Sequence, residues 1–309
     1  MCIRDRYLQT DIYFLLAVFV AASILYAKVN MSLFFLGIRL ALLFLGACHF
    51  LSLDFTNIYI SVFAPITVLM MFLSIINYDN DNLINKILGL TAFVSGLILI
   101  VESTIRLSWV AFIALMIIAS FVMFKKILIG KFSLMISLVL LGVFIYFISV
   151  NYTINFRAIQ AYNEISSWNT GVNLDTSVGV RLEMYSAGLD AFKEKPFFGH
   201  GFGSATKEAS KYSDLSLHKY NQLHNEYITT VVEKGLFGIL SLGILLLSPI
   251  LIVVRNYSND DIYIRIGIIT FISFILFGVF NVSFGDTTFK AFYVLLISLF
   301  LPNIFKEKV

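Results

Sequence analysis

The stretch "HNEYITTVVEKGLFGILSLGILL" (residues 224–246) changes character at its middle. As far as Lys234 it carries a histidine, an asparagine, two glutamates and two threonines, whereas from Gly235 to Leu246 only Ser241 is polar. Continued to Val254, the second part is long enough to cross a bilayer, which takes about 20 mainly apolar residues. Polar groups packed against the mouth of such a span mark the level where the chain meets the membrane surface.

The rest of the chain agrees. Of its 309 residues 59% are hydrophobic, 16% aromatic and 13% charged, and a mean hydropathy of +0.88 lies outside the range of soluble domains. The sequence therefore predicts an all-α polytopic membrane protein with about nine spans, at 11–29, 32–52, 57–77, 84–101, 107–124, 132–150, 234–254, 262–283 and 288–305. The apolar runs are continuous rather than alternating, which selects helices over a barrel. The predicted organisation is a transmembrane bundle over 1–150, an extracytoplasmic loop with short helices over 151–226, and C-terminal transmembrane helices over 227–309. A formal charge of +3, with Lys and Arg scattered between apolar runs, excludes a nucleic-acid partner. Cys2 and Cys48 stand apart from each other and from histidines at ligand spacing, so no disulfide framework, metal or cofactor is expected.

Lys28, Lys86, Lys125, Lys126, Lys131, Arg255, Arg265, Lys306 and Lys308 collect on one side of the predicted spans. The positive-inside rule makes that side cytoplasmic and puts Arg106, Lys290 and the loop 151–226 outside. The opening MCIRDR is unlike a signal peptide; it reads as a foreign start, with native N-terminal helices expected to be missing.

Function is sought in the outer loop. "RLEMYSAGLDAFKEK" (181–195) reads as a helix that Pro196 and the glycines of "PFFGHGFGSA" (196–205) stop. Those glycines do not form a nucleotide-binding G-x-G-x-x-G, and no strand precedes them. Four groups lie on the outer side: Arg106, Arg181, the glycine turn and His224 with Asn225. An interfacial arginine is often only an anchor whose stem lies in the acyl region. Taken together, two arginines and a histidine on one membrane face suit transfer from a phosphorylated leaving group. Arg106 and Arg181 are expected to bind a lipid-linked pyrophosphate. His224, with Asn225 and Glu226 as orienting partners, is expected to take the proton of an attacking sugar hydroxyl. Tyr185 and Asn225 join Arg106 and Arg181 as expected substrate contacts. His200, in the turn, and His218, in "DLSLHKY", rank lower.

The run "RLEMYSAGLDAFKEKPFFGHGFGSA" (181–205) followed by 224–246 resembles the signature of the O-antigen ligase and O-antigen polymerase superfamily of bacterial envelopes. That signature is an Arg-started helix, a P-x-x-G-x-G turn, then His-Asn, a helix and Glu-x-Gly-x-x-Gly. The resemblance implies a metal-independent, inverting glycosyltransferase of the GT-C type, with its site on the periplasmic or outer face of the cytoplasmic membrane. Its substrates would be undecaprenyl-pyrophosphate-linked glycan and an acceptor glycan, lipid A core or protein, which covers both polymerases and ligases. By the same resemblance Arg181 is the loop arginine, His224 the catalytic base, Glu233 a helix-end partner and Gly235 a break in the chain's path. Arg106 fits less well, because Ile105 stands where the family has serine. Two other classes stay open: a transporter or flippase, for which Arg39 is the clearest mid-span charge, and an assembly subunit that binds through the tyrosines of "KYSDLSLHKYNQ" (211–222).

Overall fold

The computed structural model describes residues 31–51, 54–78, 80–103, 105–123, 142, 152–172, 174–256 and 261–299. Every regular element among them is helical: α1 (Met31–Phe50), α2 (Asp54–Ile75), α3 (Leu83–Glu102), α4 (Arg106–Met123), α5 (Tyr152–Asn169), α6 (Ser177–Glu194), α7 (Ala205–Ala209), α8 (Glu226–Asn256), α9 (Asp261–Phe280) and α10 (Thr287–Ser298). Four stretches among the described residues are long and apolar enough to cross a membrane: α1, α3, Glu226–Ser248 and Ile262–Phe280. Shorter apolar helices occupy Ala64–Ile75, Ser108–Ile118 and Thr287–Ser298. The expected span 11–29 lies outside the described residues, and so does 132–150 apart from residue 142.

The chain forms two compact units, one containing α1 to α4 and the other built from residues 144–248 and 274–294. In the first, small residues let the helices meet closely. A Cβ on Gly89 would stand 2.8 Å from the Ser74 carbonyl oxygen, and one on Gly96 would stand 2.3 Å from Met71 Cγ. Arg39, read from sequence as a mid-span charge, is 1% exposed. Its Nε donates to the Ser74 carbonyl (2.8 Å) and its guanidinium pairs with Asp81, which also accepts from Asn77 Nδ2 (3.0 Å). A buried charge persists only when it is paired in this way.

The second unit has its own core. α6 contributes Val180, Met184, Ala187 and Ala191, spaced for one helix face, and these pack with Ala205, Ala209, Leu217, Leu223 and Val232. α6 starts earlier than the sequence reading placed it, because Thr176 caps it by accepting from Gly179 N (3.0 Å). α5 was not foreseen: its mixed polar sequence has no clean apolar period, and it is tied to α6 by Glu164, which accepts the Val178 N–H (2.9 Å).

α8 is interrupted at Gly235 (φ 63°, ψ −155°), the residue from which the sequence turns apolar. A break leaves carbonyls without partners on one side and N–H groups on the other. The turn after α6 satisfies both. His200 N–H donates to the Val232 carbonyl (2.8 Å) and Gly201 N–H to that of Glu233 (2.9 Å), while Leu236 N–H donates to Pro196 O (2.8 Å) and Phe237 N–H to Phe197 O (3.3 Å). The Glu233 carboxylate also accepts Gly203 N–H (3.0 Å). A Cβ on Gly235 would sit 2.4 Å from the Phe197 carbonyl carbon, and one on Gly199 (φ 66°) would sit 2.4 Å from that of Glu233. Gly235→Ala is therefore expected to destabilise the protein by more than about 2 kcal/mol, combining left-handed strain with a backbone clash. Gly243→Ala, with nothing within 4 Å of the new methyl, should leave stability unchanged. Apparent melting temperatures of the two variants, read by fluorescence-detected size exclusion, check this.

Candidate functional site

Arg181 and Tyr185 stand one turn apart on α6, so they share a face. The Tyr185 hydroxyl lies 3.0 Å from the His224 carbonyl oxygen and 3.4 Å from that of Val279; its single hydrogen serves one of them at a time. α6 lies close to the first half of α8 because a Cβ on Gly188 would be only 2.5 Å from Ile228 Cγ2.

His224 is the one non-glycine residue with positive φ (52°) among the described residues. Such a conformation costs an L-residue roughly 1–2 kcal/mol, and its neighbours hold it there. Asn225 caps α8, its Oδ1 accepting Ile228 N–H (2.9 Å), and its Nδ2 donates to the Val279 carbonyl (2.9 Å). The Glu226 carboxylate accepts Phe284 N–H (2.8 Å), and the Tyr227 hydroxyl donates to the Ile275 carbonyl (2.9 Å). An aromatic cluster steadies the segment between α9 and α10, with Phe274 and Tyr293 centroids 4.7 Å apart and Phe274 and Phe284 centroids 5.7 Å apart.

The structure thus brings Arg181, Tyr185, His224 and Asn225 into one neighbourhood, with different tasks from those expected of some. Asn225 and Glu226, expected beside the imidazole, spend their side chains on backbone instead: Asn225 on Ile228 N–H and the Val279 carbonyl, Glu226 on Phe284 N–H. The ring meets Gln222, whose Nε2 is 3.4 Å from His224 Nδ1 and 3.3 Å from Asn281 Oδ1. Sequence reasoning missed both Gln222 and Asn281. Arg106 begins α4 in the other unit, and its side chain lies outside the described residues.

Among the described residues no carboxylate pairs with Arg181, which is half-buried, so its donors are available to an anion. Burial, and then the Arg181 charge, push the His224 pKa below its ordinary 6.5. The imidazole is accordingly neutral at neutral pH. Burial raises the Tyr185 pKa against an opposing effect of Arg181, keeping the phenol protonated as a donor.

The lower-ranked histidines lie elsewhere. His218 is exposed in a short 3-10 turn, Leu217–Lys219. His200 is buried with Nε2 2.8 Å from the Ala191 carbonyl and Nδ1 3.3 Å from Glu208. Glu194, His200 and Glu208 are grouped closely enough to hold a metal ion. His200 already faces the Ala191 carbonyl, Glu208 pairs with Lys211 and Glu194 accepts from Tyr212, so the group reads as a brace for the turn after α6.

Apolar helices of spanning length make this a multi-pass membrane protein, and the polar cluster at the mouth of one of them is its candidate site. Residues 91–243 match the family model described as O-antigen ligase. A Haemophilus influenzae protein carried as uncharacterized is 30% identical over 139 residues, covering 42% of this chain and 35% of its own length. An O-antigen ligase of Escherichia coli is 32% identical over 130 residues, covering 38% of this chain and 30% of its own length. The chain spans about a third of the length of these relatives. Just under half of the chain is thus similar to the O-antigen ligase family.

Replacing Arg181 by Gln removes a positive charge near His224 and should raise the histidine's pKa toward its ordinary value. NMR titration of labelled histidines in wild type and variant checks the sign; a fall, or no change, would contradict the electrostatic account.

Proposed function

We propose that this chain carries the reaction centre of a metal-independent, inverting glycosyltransferase of the GT-C type, with about nine membrane helices. It acts at the outer face of the cytoplasmic membrane on undecaprenyl-pyrophosphate-linked glycan. The observation that carries this reading is Arg181 on α6, without a carboxylate partner among the described residues, acting on His224, a histidine held neutral just before the membrane helix α8. Similarity to the O-antigen ligase family supports it. The acceptor hydroxyl attacks the anomeric carbon, the bond from that carbon to the pyrophosphate oxygen breaks, and the electron pair leaves with the pyrophosphate. Arg181 stabilises the charge that develops there. His224 engages the reacting groups, and Tyr185 keeps the His224 backbone in place. Attack from the face opposite the departing group inverts the anomeric centre. The preferred product is a lengthened O-antigen or exopolysaccharide chain; transfer to lipid A core is the ligase form of the same reaction.

The transport alternative is weakened by Arg39, whose charge is satisfied by Asp81 and Ser74 within its own helix group.

Purified protein supplied with undecaprenyl-pyrophosphate-linked repeat units and an acceptor should form a new glycosidic bond, at a rate that a chelator leaves unchanged. Arg181→Ala and His224→Ala should each lower the rate by about a hundredfold or more, while Gly243→Ala should not. Transfer that survives both substitutions, or translocation of intact glycan with no bond formed, would overturn the reading.

A further inference from the structure

The chemistry of a histidine depends on which ring nitrogen holds its proton, and at His224 a short relay of hydrogen bonds decides it. The relay begins at backbone. Asn281 Oδ1 accepts the N–H of Val282 (2.9 Å), and this donor requires an oxygen, not the amide nitrogen, at that position. The Gln222 atom 3.3 Å from the same oxygen must then be a donor, which identifies it as Nε2; the flipped amide would set two oxygens against each other. That NH2 group has a second hydrogen, and 3.4 Å away stands His224 Nδ1. With a donor facing it, Nδ1 accepts. A neutral imidazole that accepts at Nδ1 carries its hydrogen at Nε2.

We propose that Gln222 and Asn281 are positioning residues that fix His224 as the Nε2–H tautomer, so that the ring offers its substrate a hydrogen-bond donor rather than a bare nitrogen. The opposite tautomer would turn Nδ1–H toward the Gln222 NH2 group, and Gln222 cannot rotate to relieve that without facing Asn281 Oδ1 with its own oxygen. Tyr185 on the His224 carbonyl (3.0 Å) and the cap made by Asn225 fix the ring's backbone in turn. Among the described residues no hydrogen bond is made to Nε2, which leaves that edge for a ligand.

The functional consequence rests on the glycosyl-transfer reading. The Nε2–H then joins Arg181 on the oxygens of the departing pyrophosphate, which takes the electron pair of the broken carbon–oxygen bond. The attacking hydroxyl forms the new bond and releases its proton to water at this half-exposed site. His224 assists departure of the leaving group and does not act as the base.

The tautomer can be read without any turnover. The full chain, 15N-labelled at its four histidines and held in lipid nanodiscs, is examined by NMR at a pH where the rings are neutral, the His224 signals being assigned by their loss in His224→Gln. The expected pattern is a protonated Nε2 and an unprotonated Nδ1. Gln222→Glu should reverse it, because a carboxylate at that position accepts from Nδ1–H. A wild-type ring protonated at Nδ1 would overturn the proposal whether or not transfer occurs. In the transfer assay His224→Gln, which restores an N–H donor, should retain about tenfold more activity than His224→Ala, and Gln222→Glu should lower kcat by about tenfold with little change in KM. His224→Gln as inactive as His224→Ala, with Gln222→Glu at or above wild type, would instead identify a base and sink the donor role. Absence of transfer by the wild type would remove the glycosyltransferase reading and leave the tautomer result standing.

Discussion

The organisation of the second unit depends on one constraint: a helix that enters the membrane is broken at Gly235, and the backbone groups exposed by that break have to be satisfied by protein. Unpaired peptide groups are costly where water is scarce. The turn after α6 supplies two donors for the carbonyls of Val232 and Glu233 and two acceptors for the N–H groups of Leu236 and Phe237. The two backbones approach so closely that each needs a glycine at the contact, Gly199 in the turn and Gly235 in the helix. A P-x-x-G-x-G segment and an Glu-x-Gly segment more than thirty residues apart are thus the two halves of one joint.

That joint positions the chemistry. The turn follows directly from α6, so stitching it to the break also seats α6 against the first half of α8 and brings Arg181 and Tyr185 to the residue before Asn225. Asn225, Glu226 and Tyr227 then attach the start of α8 to the end of α9 and the segment beyond it. His224 is left in a left-handed conformation that the surrounding bonds enforce. Strain of this kind persists only where its neighbours over-determine it, and here they lie on three separate elements.

Much of this was readable from the chain. The switch from polar to apolar residues at Gly235 located the start of the span, because a hydrophobic run has to begin where lipid begins; the family resemblance supplied the break there, and the predicted outer loop with Arg181 and His224 stood out for its polar groups. The partners of the imidazole were not readable. Asn225 and Glu226 were natural choices by adjacency, but consecutive residues entering a helix point in different directions, and theirs lead to Val279 and Phe284. Gln222 meets the ring because of the turn at His224, and Asn281 lies 59 positions from Gln222, a pairing that only the fold creates. The partner of Arg39, which does lie in the middle of α1, was unreadable for a related reason. The arginine's position within an apolar run suggested a charge in the middle of a span, and its neutralising partner, Asp81, lies 42 residues away in another segment.

The most direct test of the central claim, that Arg181 and His224 together receive the pyrophosphate of a lipid-linked donor, is an experimental structure of the protein with a non-hydrolysable undecaprenyl-pyrophosphate glycan analogue bound in a lipid nanodisc. The account predicts the pyrophosphate oxygens on the Arg181 guanidinium and on His224 Nε2, with the glycan directed away from the membrane. A donor bound with its pyrophosphate out of reach of both side chains would contradict it.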